Sequence, residues 1–440
     1  MTGQEFLKIQ DEKIFRPAVM DAIINEFEPA ADSFLLTNDF MPMKDVMMDE
    51  LVALIKAGAF GKTNPVSLGG DHAKINMPTY FYKDVKQGYW RESILFDEEV
   101  LQRVKNPEKP DQLWGEGIVG EALNVLDIRL NTLIEYLTAR TIQEPSGYTV
   151  ARAGVNVAYD HNLPGKYYLK NQNTSKTGFT NAPWIASPSD NYRWSNLTNS
   201  NPLTDIRESV KKMADYGFGV DKIYMTRTVA GYIEDNTTTS GIRSLIAANP
   251  AIAGQMITAE LLISALSGLK GILPVIDDRR YNEEFGLVRP LAAAGTTLYV
   301  SEVDASSCAA GDIVTLRDTS NGAEEEITVS AISATAGTIS TATGPVAAYP
   351  VGSRVTVSKK FLQDDRVIFH GKTNTRAAYA NWVSTPSLIK AKDFKNPQPG
   401  RYTWTTFNDR VPYWVETGAG IHGGPMVYAG GGWLVLSIAA

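Results

Sequence analysis

Residues 114–142 read WGEGIVGEALNVLDIRLNTLIEYLTARTI, and the fold turns on this stretch. Val119, Leu123, Leu126, Leu130, Leu133 and Leu137 recur at alternating steps of four and three, which places one apolar stripe along a helix. At roughly 1.5 Å per residue a continuous helix over this stretch is about 43 Å long. A core helix of any large domain would carry the same stripe, but the length makes this one a spine. Pro145-Ser146-Gly147 closes it.

On the N-terminal side, Val19, Ile23, Ile24 and Phe27 predict a short amphipathic helix over 17–27. A second helix is expected from Met43 to Ile55, with Val46, Met47, Leu51, Leu54 and Ile55 on one side and Ala57 to Gly61 as its stop. Both belong to an arm more than to a compact domain. Between arm and spine lie two extended, aromatic-rich runs, Ile75–Tyr82 and Gly88–Leu95. They predict a long two-stranded excursion. An isolated hairpin is barely stable in water, so this one must lean on something else.

Beyond the spine, residues 154–201 are polar, aromatic and loop-rich. Helix is then expected from Pro202 to Tyr216, strand at Lys222–Met225, and helix through Val229 and Ile233. A flexible loop follows at Thr237–Gly241, then helix at Ile257–Leu266 and strand at Gly271–Ile276. That alternation describes an α/β region. From Leu291 to Ser358 roughly two-thirds of the residues are Ala, Gly, Ser, Thr or Val, well above ordinary usage. Short alternating runs there (Thr297–Val300, Ile313–Leu316, Ile327–Val329) predict a small all-β module, inserted because helical order is expected to resume after Lys359.

Composition narrows the function. The 440 residues suggest about three folding units. Lys plus Arg is 42 against Asp plus Glu 49, a net charge of −7, which argues against a protein that coats nucleic acid. The single cysteine, Cys308, excludes an intramolecular disulfide framework and a Cys-based zinc site. Met1 to Phe6 lacks a signal-peptide pattern, and Ile257–Leu266 is too short to span a bilayer, so a soluble, cytoplasmically made protein without membrane partners is expected.

Motifs that could carry chemistry fail on context. Gly418-Ala419-Gly420-Ile421-His422-Gly423 matches a dinucleotide glycine pattern, but Gly424-Pro425 follows and no acidic ribose partner can appear before the end. Gly61-Lys62-Thr63 has Lys56 where a phosphate loop needs glycine. His72, His161, His370 and His422 stand far apart, without metal-ligand spacing. Asp277-Asp278-Arg279-Arg280 reads as a self-compensating turn, and Glu324-Glu325-Glu326 as a solvated edge lacking the spaced oxygens calcium needs. The sequon Asn173-Thr174-Ser175 means little without a secretory signal. No catalytic, cofactor-binding or metal-binding residue is assigned, and no enzyme or cofactor is expected.

Four stretches in order carry a family resemblance. Trp194-Ser195 precedes Pro202-Leu203-Thr204-Asp205-Ile206, a helix and the strand Ile223-Tyr224-Met225. Tyr281 precedes, across the insertion, Lys360-Phe361-Leu362-Gln363-Asp364-Asp365-Arg366-Val367-Ile368. Tyr379 and Trp382 follow, and Trp414-Val415-Glu416-Thr417 opens a tail through Pro425-Met426-Val427 to Trp433-Leu434-Val435-Leu436. In this order the chain resembles the major capsid proteins of tailed bacteriophages, most closely the lambda-type major capsid protein E family.

The resemblance implies an α+β, HK97-like capsid fold. An N-terminal arm takes 1–62, an E-loop 63–104, and a P domain 105–200 with the spine at 114–142. An A domain takes 201–395, interrupted by the β-rich insertion at 291–358, and 396–440 returns to the P domain. It implies an icosahedral shell of hexamers and pentamers enclosing a phage genome in the virion. The implied partners are a cement or decoration protein, portal, scaffold, and double-stranded DNA held on the inner face without sequence specificity. Lys74, Lys83 and Lys86 lie in the hairpin, yet the lambda-type group relies on non-covalent contacts, so no inter-subunit cross-link is expected. The insertion, acidic and without large aromatic anchors, is expected to project outward. Rival readings are an encapsulin-like compartment, a virion decoration or tail protein, and an enzyme with an unrecognised site.

Overall fold

The computed structural model describes residues 34–46, 51–56, 80–85, 87–99, 101, 109–144, 147–152, 155–159, 161, 168–169, 194–198, 200–215, 218–249, 256–265, 269, 271–318, 321–372, 380–386, 399–408, 410–427 and 432–438. The chain divides into two units. Unit 1 comprises Met1–Tyr148, Val157–Val275 and Asp364–Ala440; unit 2 comprises Thr149–Asn156 and Ile276–Gln363.

In chain order the elements begin with α1 (Leu35–Phe40), β1 (Met43–Asp45), β2 (Leu51–Lys56), β3 (Tyr80–Val85), β4 (Gly88–Phe96) and α2 (Lys109–Gln143). Next come β5 (Tyr148–Arg152), β6 (Val155–Tyr159), β7 (Tyr168–Leu169), α3 (Pro202–Asp215), β8 (Gly219–Met225) and α4 (Arg227–Asp235). They are followed by α5 (Ser240–Ala247), α6 (Ala259–Ser264), β9 (Leu273–Ile276), β10 (Arg280–Gly286), β11 (Thr297–Tyr299), α7 (Glu302–Ser306) and β12 (Ile313–Arg317). The chain then continues as β13 (Glu324–Ser333), β14 (Thr338–Thr341), β15 (Arg354–Lys360) and β16 (Arg366–Lys372). It ends with β17 (Ala380–Ser384), β18 (Arg401–Asn408), β19 (Trp414–Val427) and β20 (Trp433–Ser437).

The spine α2 carries the expected stripe inward. Val119, Leu123, Leu126, Leu130 and Leu137 are buried, and Leu133 is half-buried. From Ile134 onward almost every side chain is enclosed, polar ones included: Glu135, Thr138, Thr141 and Gln143 are all buried. α2 packs on β4 and β19.

Two five-stranded sheets lie in unit 1, beside the β2–β3 ribbon. In the first, β19 is central: β18 and then β17 pair along one edge, β4 pairs with Val415–Gly423 along the other, and β1 adds in parallel to β17. The second has the order β7-β20-β16-β8-β9. Its inner strands are apolar on both faces, and Ile223, Tyr224, Met225, Val367, Ile368, Phe369, Leu434, Val435 and Leu436 are all buried.

Several expectations need correction. Within the helix expected over Met43–Ile55, residues 43–45 and 51–55 are strand, and 47–50 lie outside the described residues. Met43–Asp45 is strand β1, and Leu51–Lys56 pairs antiparallel with β3. Pairing with other strands overrides the local helical pattern. The two aromatic runs do not form a hairpin with each other, because β4 joins the main sheet and β3 takes β2. Thr237–Gly241 is ordered as a 3-10 turn leading into α5, with the Thr239 hydroxyl donating to the Asn236 carbonyl at 2.7 Å. After Lys360 the chain enters β16, not a helix. The helix expected over 17–27 lies outside the described residues.

Within unit 2, Ile276–Gln363 carries one six-stranded sheet, β10-β15-β12-β13-β14-β11. The N–H of Val288, just past β10, donates to the Tyr299 carbonyl of β11 at 2.8 Å, so the sheet curls until its ends meet. Phe285, Leu298, Val314, Leu316, Ile327, Ile339, Tyr349, Val355 and Val357 fill the inside. The module is not wholly β, since α7 lies between β11 and β12, its first turn capped by Ser301. Its neck is formed by β10 and β15: Arg280 pairs with Lys360, the Phe361 N–H donates to the Arg279 carbonyl, and the Tyr281 and Phe361 rings lie 5.1 Å apart.

Candidate assembly surface

The residues singled out for chemistry serve structure where they are described. Gly418 to Gly423 lie inside β19, not at a strand-to-helix turn. A Cβ on Gly418 would run into the Trp404 ring, and one on Gly423 into the Val383 carbonyl. The glycines are there because chain and rings press on both faces of the strand. Asp277 is buried and accepts from the Arg279 guanidinium at 2.8 Å through both oxygens, which closes a turn. Glu325 accepts from the N–H groups of Val346 and Ala347 at 2.6 and 2.7 Å. Those bonds hold its carboxyl below the usual carboxylate range.

The histidines are scattered as expected. His161 packs against Tyr148 and Tyr159, and His422 stacks on Tyr89 with ring centroids 3.8 Å apart. His370 lies 2.6 Å from an Asp221 oxygen and 3.0 Å from the Asp39 carbonyl. His72, Lys74, Lys86, Gly61–Thr63 and Asn173–Ser175 lie outside the described residues, and Lys83 falls in β3. Among the described residues no group of three or more His, Cys, Asp or Glu is placed to hold a metal ion.

The sequence reading missed the buried polar links that fasten unit 1 together. Glu135, in the enclosed C-terminal stretch of α2, accepts the N–H of Leu36 and both the N–H and hydroxyl of Thr37. At the other end of α1, Asp39 takes the Lys222 ammonium at 2.7 Å and the Tyr224 hydroxyl. Arg401 of β18 binds Asp127 and Asn131 of α2, and Arg366 donates to the Gln143 carbonyl at 2.6 Å. The available signal was an acidic residue inside the most apolar part of the spine. In the resemblance motif, the Trp194 indole donates to Asp205 at 2.9 Å, so those two residues form one buried link.

What the described residues leave exposed is as informative. Val125 and Ile128, 44% and 54% exposed, sit on the solvent side of α2. Leu95 of β4 is 61% exposed, and Leu245 and Met256 exceed 70%. Among the described strands β4 pairs only with β19, leaving an open edge, and the β2–β3 ribbon pairs only within itself. An open edge and an isolated ribbon are surfaces that natural proteins cover.

No family model matches the chain, and no curated protein matches it. Solved structures do. One assigned as the capsid protein of an Escherichia coli CFT073 prophage superposes with a TM-score of 0.51 over 96% of this chain and 99% of that one, at 12% identity. This chain has that capsid-type fold. A phage-related protein from Bordetella bronchiseptica RB50 gives a TM-score of 0.43 at 8% identity, covering 96% of this chain and 97% of that one. The SrpI encapsulin of Synechococcus elongatus PCC 7942 gives 0.38 at 8%, covering 96% and 95%.

Proposed function

We propose that this chain is the major capsid protein of a tailed bacteriophage, assembling with copies of itself into the closed shell around the genome. The observation that carries the reading is the prophage capsid-type fold over nearly the whole chain, joined to surfaces that one copy leaves uncovered. In this reading 1–62 is the arm, 63–104 the E-loop, 105–200 with 396–440 the P domain, and 201–395 outside the insertion the A domain. Burial of the β4 edge and the exposed α2 face against neighbours then makes assembly part of folding.

The role is structural, and the location is the virion. No helix among the described residues is long and apolar enough to cross a membrane. The net charge of −7 suits a wall that encloses DNA and later releases it. Cement protein, portal and scaffold are the further partners of such a shell, and its subunits hold together without covalent links. Sedimentation of the chain expressed alone tests the reading. Fast particles of uniform size are expected; a concentrated sample that stays monomeric contradicts it.

A further inference from the structure

His370 of β16 stands between two hydrogen-bond acceptors. Its Nδ1 lies 2.6 Å from an Asp221 carboxylate oxygen of β8, and its Nε2 lies 3.0 Å from the backbone carbonyl of Asp39 in α1. A carboxylate and a backbone carbonyl can only accept. Both contacts are therefore hydrogen bonds only when both ring nitrogens carry a proton, which is the imidazolium form. A neutral ring has one N–H and would turn a lone pair onto one of the two oxygens.

The Asp39 carbonyl needs that donor. It belongs to the last turn of α1 (Leu35–Phe40), where a helix has no N–H groups of its own left to offer. The groups facing the ring are Asp39 from α1 and Asp221, Lys222 and Tyr224 from β8, while β20 presents the Trp433 ring. The Lys222 ammonium and the Tyr224 hydroxyl both donate to the Asp39 carboxylate, which leaves the carbonyl of the same residue to His370. Phe40 closes the cluster, edge-on to His370 at 4.8 Å and 6.1 Å from the Trp433 ring.

We propose that His370 is a pH-sensitive latch: doubly protonated, it bridges Asp221 and the Asp39 carbonyl and holds the C-terminal end of α1 on β8 and β16, and loss of one ring proton releases that end. Histidine is the side chain that ordinarily changes charge between about pH 5 and 8. The N–H facing the Asp221 carboxylate makes the stronger, charge-assisted bond, so the proton facing the Asp39 carbonyl is the one given up. Stability from the latch is thus present at the acid end of the range and lost as pH rises. Glu135 keeps its hold on Leu36 and Thr37 throughout, so α1 loosens from its C-terminal end. The latch lies within one chain and goes beyond the shell reading.

Hydrogen exchange of the full chain across the histidine range, corrected for the intrinsic pH dependence of exchange, tests the latch. The Met41 amide, which donates to the Thr37 carbonyl at 2.9 Å, reports on the released end of α1. Its protection is expected to fall on the order of tenfold from the acid to the alkaline side, with the Leu36 and Thr37 amides changing less. His370→Gln keeps a donor but no titrating ring, so its Met41 protection should stay constant. Asp221→Asn removes the charge that favours the imidazolium and should move the loss to lower pH. Constant protection in the natural sequence, the same loss in His370→Gln, or an unmoved midpoint in Asp221→Asn overturns the proposal. None of these outcomes depends on whether particles form, so the latch and the shell reading fail separately.

Discussion

The buried carboxylate of Glu135 accepts both the amide and the hydroxyl of Thr37, at 3.0 and 2.6 Å, and so ties the first described helix to the spine. A six-residue helix has no stability of its own. Glu135 supplies acceptors for N–H groups at the start of α1 that the helix itself cannot satisfy. Glu135→Ala strands these donors in a buried place and is expected to cost on the order of 3 kcal/mol. Hydrogen exchange at the Leu36 and Thr37 amides should accelerate, while exchange in β16 and β20 moves less. Unchanged protection at both amides would show that α1 is held by its apolar side chains instead.

Glu325 makes the stability of unit 2 depend on pH. Its carboxyl lies below the usual range because the N–H groups of Val346 and Ala347 bind the charged form. A depressed folded-state value means the contribution is fully present above the unfolded value, about 4.3 for glutamate, and is lost as pH falls through the folded value. Melting of the chain followed by Cys308 exposure should therefore weaken as acid is added below that range. In Glu325→Gln that component of the slope should be absent, and an identical slope in both proteins would remove Glu325 from the account.

The neck of unit 2 predicts where the module can be removed. Asn282 and Ser358 are direct partners in the β10–β15 ladder, as are Tyr281 and Lys359. Partners in an antiparallel ladder are about 5 Å apart, so a short Gly-Ser turn can join Tyr281 to Lys359 after deletion of 282–358. The deletion should leave particles of normal size with smoother outer surfaces. Soluble unassembled chains would show instead that unit 2 staples subunits during assembly.

How much could be read in advance depended on where each residue's partner lies. The spine was legible because Val119 to Leu137 repeat over many turns within one element. The module was legible because its composition changes abruptly and its strands pair with near neighbours, as β12 does with β13. Its neck at Arg280 and Lys360 lies outside the compositional boundaries, since β10 and β15 carry ordinary charged sequence. Met43–Asp45 was misread because its partner, Trp382–Ser384, is more than three hundred residues away. Gly418–Gly423 matched a glycine pattern and read as a glycine-rich loop, not a strand, because the Trp404 ring that requires a glycine lies on another strand. Glu135, Asp39 and Arg401 drew no attention as single charges in ordinary surroundings; only the fold brings them to their partners.

The central claim is that copies of this chain close into a shell. Electron microscopy of the chain expressed alone measures this most directly. The account predicts closed particles built from five-fold and six-fold capsomers, with the open edge of β4 and the Val125–Ile128 face of α2 covered by neighbouring subunits. A monodisperse monomer at high concentration, with those same surfaces in solvent and the β2–β3 ribbon intact, would contradict it.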